Sequence, residues 1–218
     1  MRGYEIVQIN EIIVQNYAEV TAAVQQKAKR LLLVSDLALG GTTPSYGTIA
    51  EATRYAHDHN VSISILVRPR SGSADYNDAE IKIMDTDLLE IQKLGSDGVV
   101  FGVLTQSGNL DEDAMANLVA AAGGMALGFT TGLNRPTAPI EDEAVLWLSD
   151  NDFTRYYAPM APEKELTTET ISSLMNANQK LSERNIQLIP TNFHSKAEMT
   201  TLTDRTNISQ TAILPSQI

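Results

Sequence analysis

The chain has 218 residues and a formal net charge of −11, with 43% hydrophobic and 20% charged residues. This negative charge argues against nucleic acid or an anionic membrane surface as a partner. The sequence contains no cysteine, which excludes disulfides, thiolate zinc or iron–sulfur sites, a catalytic thiol and a thiolate site for Cu(I).

Short apolar runs alternate with longer amphipathic ones along the whole chain. Strands are predicted at residues 4–9, 30–36, 61–67, 97–103, 125–130, 153–158, 186–191 and 209–214. Helices are predicted at residues 16–29, 45–59, 78–94, 111–122, 139–149, 167–184 and 195–205. No linker or low-complexity segment interrupts this pattern, so we expect a single domain over residues 1–218.

Eight strands alternating with helices over this length favour a TIM (β/α)8 barrel over a doubly wound sheet. No helix pattern follows the eighth strand, so the barrel is expected to be trimmed at its carboxyl end. Helix-boundary residues support the division: Asn77 with Glu80, and Ser195 with Glu198, form capping-box patterns, and Gly95 is placed to end a helix. The sequence has no signal peptide pattern and no apolar run of membrane-spanning length, which predicts a cytoplasmic protein.

The sequence GGTTPSYG follows the predicted second strand, at the barrel end where TIM-barrel ligands bind. Thr43 is expected to cap the next helix, with Pro44 at the first helical position. Three backbone amides at the helix start would then form an anion site, those of Ser45, Tyr46 and Gly47. The alternative is a well-capped helix behind a flexible loop.

Two arginines, Arg68 and Arg70, stand at the end of the predicted third strand. Their planar guanidinium groups suit bidentate binding of phosphate or carboxylate. The alternative is an internal ion pair with Asp36, Asp75 or Glu5. Glu5 and Asp36 are the candidate acids, and both are expected to point into the barrel if the strand parity allows.

The histidines do not suggest a metal site. His57 and His59 lie on different faces of a helix, and His194 is alone at the barrel rim, so no metal ligands are predicted. The sequence also lacks the common phosphate-loop, zinc-protease and serine-hydrolase patterns. None of the predicted strands carries a lysine, which argues against a Schiff-base aldolase mechanism.

Three segments carry a family resemblance: RLLLVSDLALGGTTPSYGTI, SILVRPRSGSADYNDAEIKIMDTDL and LGSDGVVFGVLTQSGNLD. They resemble the CutC family, the copper homeostasis proteins. The resemblance implies a TIM barrel, a cytoplasmic location, a role in copper handling and a homodimer. The family residues that this chain retains are Glu5, Ser45, Tyr46, Arg68, Arg70, Tyr76, Asp78, Gly102 and Thr105.

The chain also departs from the family pattern. Leu32 and Val34 stand where the family has Glu and Cys, and Val7 stands where a first-strand Cys is expected. Thr130 and Asn134 replace a histidine and an aspartate, and the late glycine-rich loops are missing. Copper is therefore implied by the family name only, and no other cofactor is expected.

The sequence thus predicts a barrel that binds a small anion at its mouth. The predicted ligand-binding residues are Glu5, Ser45, Tyr46, Gly47, Arg68 and Arg70. Three alternatives remain open: copper handling through methionine, histidine or carboxylates; an isomerase- or aldolase-like enzyme acting on a phosphorylated small molecule; and a non-catalytic scaffold barrel.

Overall fold

Parallel strands alternate with helices throughout the computed structural model, which describes residues 9–134, 140–160, 167–193, 195–206 and 208–217. The strands are β1 Ile9–Val14, β2 Arg30–Leu33, β3 Ser62–Leu66, β4 Gly98–Phe101, β5 Ala126–Phe129, β6 Phe153–Pro159, β7 Gln187–Thr191 and β8 Gln210–Ile213. The helices are α1 Tyr17–Gln25, α2 Tyr46–Asp58, α3 Asp78–Leu94, α4 Glu112–Ala122, α5 Asp142–Asp150, α6 Thr168–Ser182 and α7 Lys196–Arg205.

The strands form one parallel sheet that curls into a barrel. Their order is β7-β6-β5-β4-β3-β2-β1-β8, so β1 pairs with both β2 and β8. The sheet is nearly closed, since among the described residues β7 and β8 are neighbours without a hydrogen-bonded ladder. After β8 the chain makes a single 3-10 turn, Pro215–Gln217. The predicted TIM barrel is confirmed.

Both faces of the barrel strands are buried, which explains why their sequences are continuous apolar runs. Alternate residues face the helices, for example Leu31 and Ile63. The residues between them, such as Leu32, Leu66 and Val100, pack together inside the barrel. This two-residue period decides which positions at the strand ends can reach the barrel mouth.

The barrel interior contains one buried polar cluster, near the amino-terminal ends of the strands. Glu11 on β1 is 1% exposed and accepts hydrogen bonds from Arg155 Nη1 at 3.1 Å and from the Tyr157 hydroxyl at 2.6 Å. Arg155 Nη1 also donates to Ser64 Oγ on β3 at 3.2 Å. Burial raises the pKa of Tyr157 well above its usual value, so this phenol stays a proton donor. The cluster ties three strands together across the barrel.

The first strand lies later in the chain than the sequence predicted. β1 begins at Ile9, whereas the predicted strand at 4–9 falls almost wholly outside the described residues. The run INEIIV forms the strand, and Asn16, whose own backbone is extended, then caps α1. The carboxylate that β1 carries into the barrel is therefore Glu11, and Glu5 lies outside the described residues.

We predict that Glu11→Gln lowers the free energy of unfolding by about 3–5 kcal/mol, because it leaves the buried Arg155 guanidinium without its anion. Chemical denaturation measures the loss. Glu51→Gln is the matched control, since Glu51 forms an exposed ion pair with Arg54 that is worth about 0–1 kcal/mol. Equal losses in the two variants would show that the interior cluster does not stabilise the barrel.

Candidate functional site

The loop after β2 folds back on itself at the carboxyl end of the barrel. A one-turn 3-10 helix, Leu37–Leu39, leads into Gly40 and Gly41, whose φ angles are +93° and +85°. A side chain on Gly41 would overlap Leu66 Cδ2, so this position has room for hydrogen alone. The two glycines thus let the loop lie directly on top of the barrel interior.

Helix α2 begins at Tyr46, one residue later than predicted, and its capping residue lies two residues later than predicted. Its cap is Ser45, whose hydroxyl accepts the Thr48 amide at 3.3 Å, rather than Thr43. Thr43 is used elsewhere: its amide donates to the Arg68 carbonyl at 2.9 Å, and its hydroxyl accepts the Arg68 amide at 2.9 Å. Tyr46 is 58% exposed, and Ser45 and Gly47 are also exposed, so the predicted helix-start amides face solvent.

Arg68 has the opposite environment, because it is buried to 97%. Its Nη1 donates to the carbonyls of Gly41 at 2.7 Å and Leu39 at 3.4 Å, and its Nη2 donates to the carbonyl of Gly72 at 2.6 Å. Among the described residues no carboxylate forms an ion pair with it. Its Nε is buried without a hydrogen-bond partner. Burying a cation without a paired anion costs free energy, which the three hydrogen bonds to carbonyls offset in part.

Arg70 is neutralised within the protein. Its Nε contacts Glu80 Oε1 at 2.5 Å, and its Nη2 donates to the Asp75 carbonyl at 2.9 Å. The hydrogen bond from Arg70 lowers the pKa of Glu80, as expected for an ion pair. Its guanidinium also lies 5.0 Å from the centre of the Tyr76 ring. Arg70 thus shapes the site and holds Tyr76, while its charge is already balanced by Glu80.

A polar cavity of about 500 Å³ opens beside these arginines, between the starts of α3 and α4. It is lined by Arg70, Asp75, Tyr76, Asn77, Glu80, Leu104, Thr105, Gln106 and Asp111. Tyr76 connects this cavity with Arg68: burial raises the pKa of its phenol, while the nearby Arg68 charge acts to lower it. The Tyr76 hydroxyl and Asp75 Oδ1 are shielded from solvent and lack hydrogen-bond partners.

The centre of the barrel mouth is closed by the loop after β5. Leu133 is 1% exposed and packs with Val34, Leu66 and other interior residues. Its amide donates to the Gly40 carbonyl at 2.9 Å, and Asn134 Nδ2 donates to the Ala38 carbonyl at 3.2 Å. The β5 loop and the β2 loop are thereby joined across the mouth. The accessible cavity lies to one side of this closure.

The other predicted residues do not gather here. Asp36 is exposed and accepts a hydrogen bond from Thr42 at 3.3 Å, so the expectation that it points into the barrel was wrong. A left-handed backbone conformation at Asp36, with φ of +47°, turns the chain out of the strand. His57 lies at the end of α2, 3.0 Å from Asp97, and His194 is outside the described residues.

Metal ligands are not brought together. No group of three or more histidine, aspartate or glutamate residues in the described part of the chain is arranged to hold a metal ion. The buried methionines, such as Met84 and Met115, belong to the apolar core as expected for Met84. No helix within the described ranges is both long and apolar enough to cross a membrane.

The CutC family model matches residues 8–142, more than half of the chain. The chain belongs to the CutC family. A CutC protein of Enterococcus faecalis is 41% identical over 147 residues, which is 67% of this chain and 70% of that protein. A solved structure from Streptococcus agalactiae, whose description assigns it provisionally to copper homeostasis as CutC, superposes with a TM-score of 0.83. That match has 28% identity and covers 94% of this chain and 98% of the other.

More distant structures share the architecture. A deoxyribose phosphate aldolase from Aeropyrum pernix has a TM-score of 0.62 at 8% identity, covering 95% of this chain and 86% of its own. An identity this low shows the fold alone. Among the described strands none carries a lysine.

Sequence reasoning missed the interior cluster of Glu11, Arg155 and Tyr157. Arg155 and Tyr157 are two residues apart in the predicted sixth strand, and a charged residue on an otherwise apolar face requires a buried partner. That spacing was visible in the sequence. The carboxylate partner of Arg155 was not visible, because Glu11 is 144 positions away and only the closed barrel brings the two residues together.

Two glycines of the GGTTPSYG loop should respond differently to substitution. We predict that Gly41→Ala lowers the free energy of unfolding by about 2–4 kcal/mol, because of its positive φ and the overlap with Leu66. Gly47→Ala should be neutral or stabilise by up to about 1 kcal/mol, because it lies in α2 with open space around it. Denaturant unfolding of both variants measures this, and equal effects would contradict the close packing of the loop.

Proposed function

We propose that this CutC-family barrel binds a small anion through Arg68 and Tyr76, at the side of its closed mouth. The observation that carries the proposal is the Arg68 guanidinium, which is 3% exposed and has no ion-pair partner among the described residues. Burying a charge is costly unless an opposite charge or several hydrogen bonds compensate it. An anion that accepts from Arg68 Nε and the Tyr76 hydroxyl would supply both.

The proposed site is smaller than the one predicted from sequence. Arg70 belongs to it as a supporting residue, since its ion pair with Glu80 and its contact with Tyr76 hold the phenol in place. The exposed start of α2, with Ser45, stays a separate candidate for contacting a ligand. Glu5 remains a prediction outside the described residues.

A cysteine-type copper site does not fit this chain. Cu(I) prefers thiolate and thioether ligands, yet the sequence has no cysteine, and Met84 and Met115 are packed in the core. We therefore propose that family membership here reflects descent rather than copper binding by this barrel. A cytoplasmic location and a homodimer are proposed from the family resemblance alone.

A non-catalytic scaffold is the second candidate function. The closure of the mouth by Leu133 favours it, because TIM-barrel enzymes hold their reacting groups at the centre of that face. The isomerase- or aldolase-like alternative has only the shared fold in its favour. Anion binding beside the closure would separate a ligand-binding barrel from a pure scaffold.

We predict that acetate or inorganic phosphate raises the melting temperature of the protein. A ligand at about ten times its Kd contributes about 1.4 kcal/mol, or about 3–6 °C for a chain of this size. Tyr76→Phe and Arg68→Lys should both reduce this shift, because they remove the unpaired hydroxyl and the buried Nε. Differential scanning fluorimetry across an anion series provides the measurement.

The matched controls are Tyr17→Phe and Arg54→Lys, which alter exposed residues that do not line the cavity. Both should keep the full anion-dependent shift. The proposal fails if no anion of the series changes the melting temperature of the unsubstituted protein, or if the controls lose the shift as strongly as the site variants do.

Copper binding can be tested directly. We predict that equilibrium dialysis at micromolar Cu(I) or Cu(II) shows no stoichiometric binding, because the sequence has no cysteine and the described part of the chain gathers no group of three histidine, aspartate or glutamate ligands. Bound copper that survives dialysis against a weak chelator would overturn the proposal and favour a methionine, histidine or carboxylate site instead.

A further inference from the structure

A seam runs through the barrel wall between β7 and β8. The two strands are neighbours, yet among the described residues no ladder and no backbone hydrogen bond joins them. Pro190 in β7 has no N–H group to donate, which is typical of an edge strand. A groove of about 310 Å³ opens beside the seam, formed by α6 and the starts of both strands. It therefore lies at the opposite end of the barrel from Arg68.

The groove is lined by neutral side chains that form hydrogen bonds. Six of its lining residues carry an amide or a hydroxyl group: Asn178, Ser182, Asn185, Gln187, Ser209 and Gln210. The others, Ile186, Leu188 and Ile208, are buried and apolar. Within the described ranges no acidic or basic residue lines the groove, in contrast to the cavity beside Arg70. A charged ligand would therefore lose water without meeting an opposite charge.

Gln210 gives the groove a hydrogen-bond donor without a partner. The residue is 7% exposed, and its Oε1 accepts a hydrogen bond from Arg30 Nη1 at 2.8 Å. Because a guanidinium only donates, this contact turns the amide oxygen toward Arg30 and the amide nitrogen away from it. Among the described residues Nε2 has no hydrogen-bond partner, and it is not one of the unpaired atoms that are shielded from solvent. Because Gln210 is otherwise buried and lines the groove, this accessible N–H group faces it.

We infer that this groove binds a neutral polyol, a small molecule with several adjacent hydroxyl groups on a carbon chain or ring. A hydroxyl group both donates and accepts, so it can pair with amide N–H, amide carbonyl and serine hydroxyl groups alike. The apolar lining residues offer a surface for the carbon frame. The groove volume lies at the small end of the range for ligand pockets, roughly 300–1,000 Å³, which suits one sugar-sized molecule.

The test uses the full chain and four neutral probes: D-glucose, D-ribose, myo-inositol and the linear polyol sorbitol. Saturation-transfer NMR detects weak binding, and titration of its signal gives a Kd for each probe. We expect at least one probe to bind. Its Kd should change by less than about twofold between about 50 and 500 mM NaCl, because no charged side chain of the described residues lines the groove. Comparison of sorbitol with the ring compounds shows whether a chain or a ring fits.

Substitutions in the groove test its role in binding. Gln210→Met should weaken the tightest-binding probe by about tenfold, because it removes the unpaired donor but keeps an unbranched side chain of similar size. Gln187→Ala should weaken it by about threefold, and because Gln187 is exposed this variant tests the groove even if the buried substitution impairs folding. Gln25→Met is the matched control, since Gln25 is exposed at the end of α1 and does not line the groove. It should leave the affinity unchanged.

Absence of binding by all four probes would overturn the polyol assignment, and so would an affinity that both groove variants leave unchanged. Binding that falls steeply with salt and is lost in Arg68→Lys would place the polyol at the other end of the barrel, which also overturns it. None of these results depends on whether acetate or phosphate binds at Arg68. The polyol groove and the anion site therefore stand or fall separately.

Discussion

A single buried guanidinium organises the carboxyl end of this barrel. Arg68 draws together the carbonyls of Leu39 and Gly41 from the loop after β2 and the carbonyl of Gly72 from the loop after β3. Its own backbone pairs with Thr43 just before α2. The loop after β2, the loop after β3 and the residues just before α2 therefore all form hydrogen bonds with Arg68. Among the described residues that cation has no carboxylate partner, and its charge is balanced by backbone carbonyls instead.

Two arginines are buried in the described part of the chain, and they differ in how their charge is compensated. Arg155, near the amino ends of the strands, is fully compensated by Glu11 and Tyr157 and has a structural role. Arg68, at the other end, keeps a buried nitrogen without a hydrogen-bond partner. Ligands of TIM barrels bind at the carboxyl ends of the strands, where loops can vary without disturbing the packed interior. The position of the uncompensated charge agrees with that rule.

Membership of the CutC family sets the fold but leaves the chemistry open. At the family's histidine and aspartate positions, Thr130 bonds to Gly132 and Asn134 bonds to Ala38. Both side chains hold the β5 loop in place over the mouth, and Leu133, which lies between them in the chain, is buried. The side cavity around Tyr76 is accessible, polar and of small-ligand size.

The sequence by itself determined the barrel, most element positions and the chain's lack of thiolate chemistry, because these follow from local periodicity, capping residues and composition. Asn77 and Gly95, for example, bound α3 as their local patterns predict. Tertiary structure alone decided which charges are paired. Arg68 and Arg70 look equivalent in sequence, yet one is buried against carbonyls and the other is bound to Glu80. Partners such as Glu11 and Arg155 meet only when the barrel closes, since pairing depends on distance in space rather than along the chain.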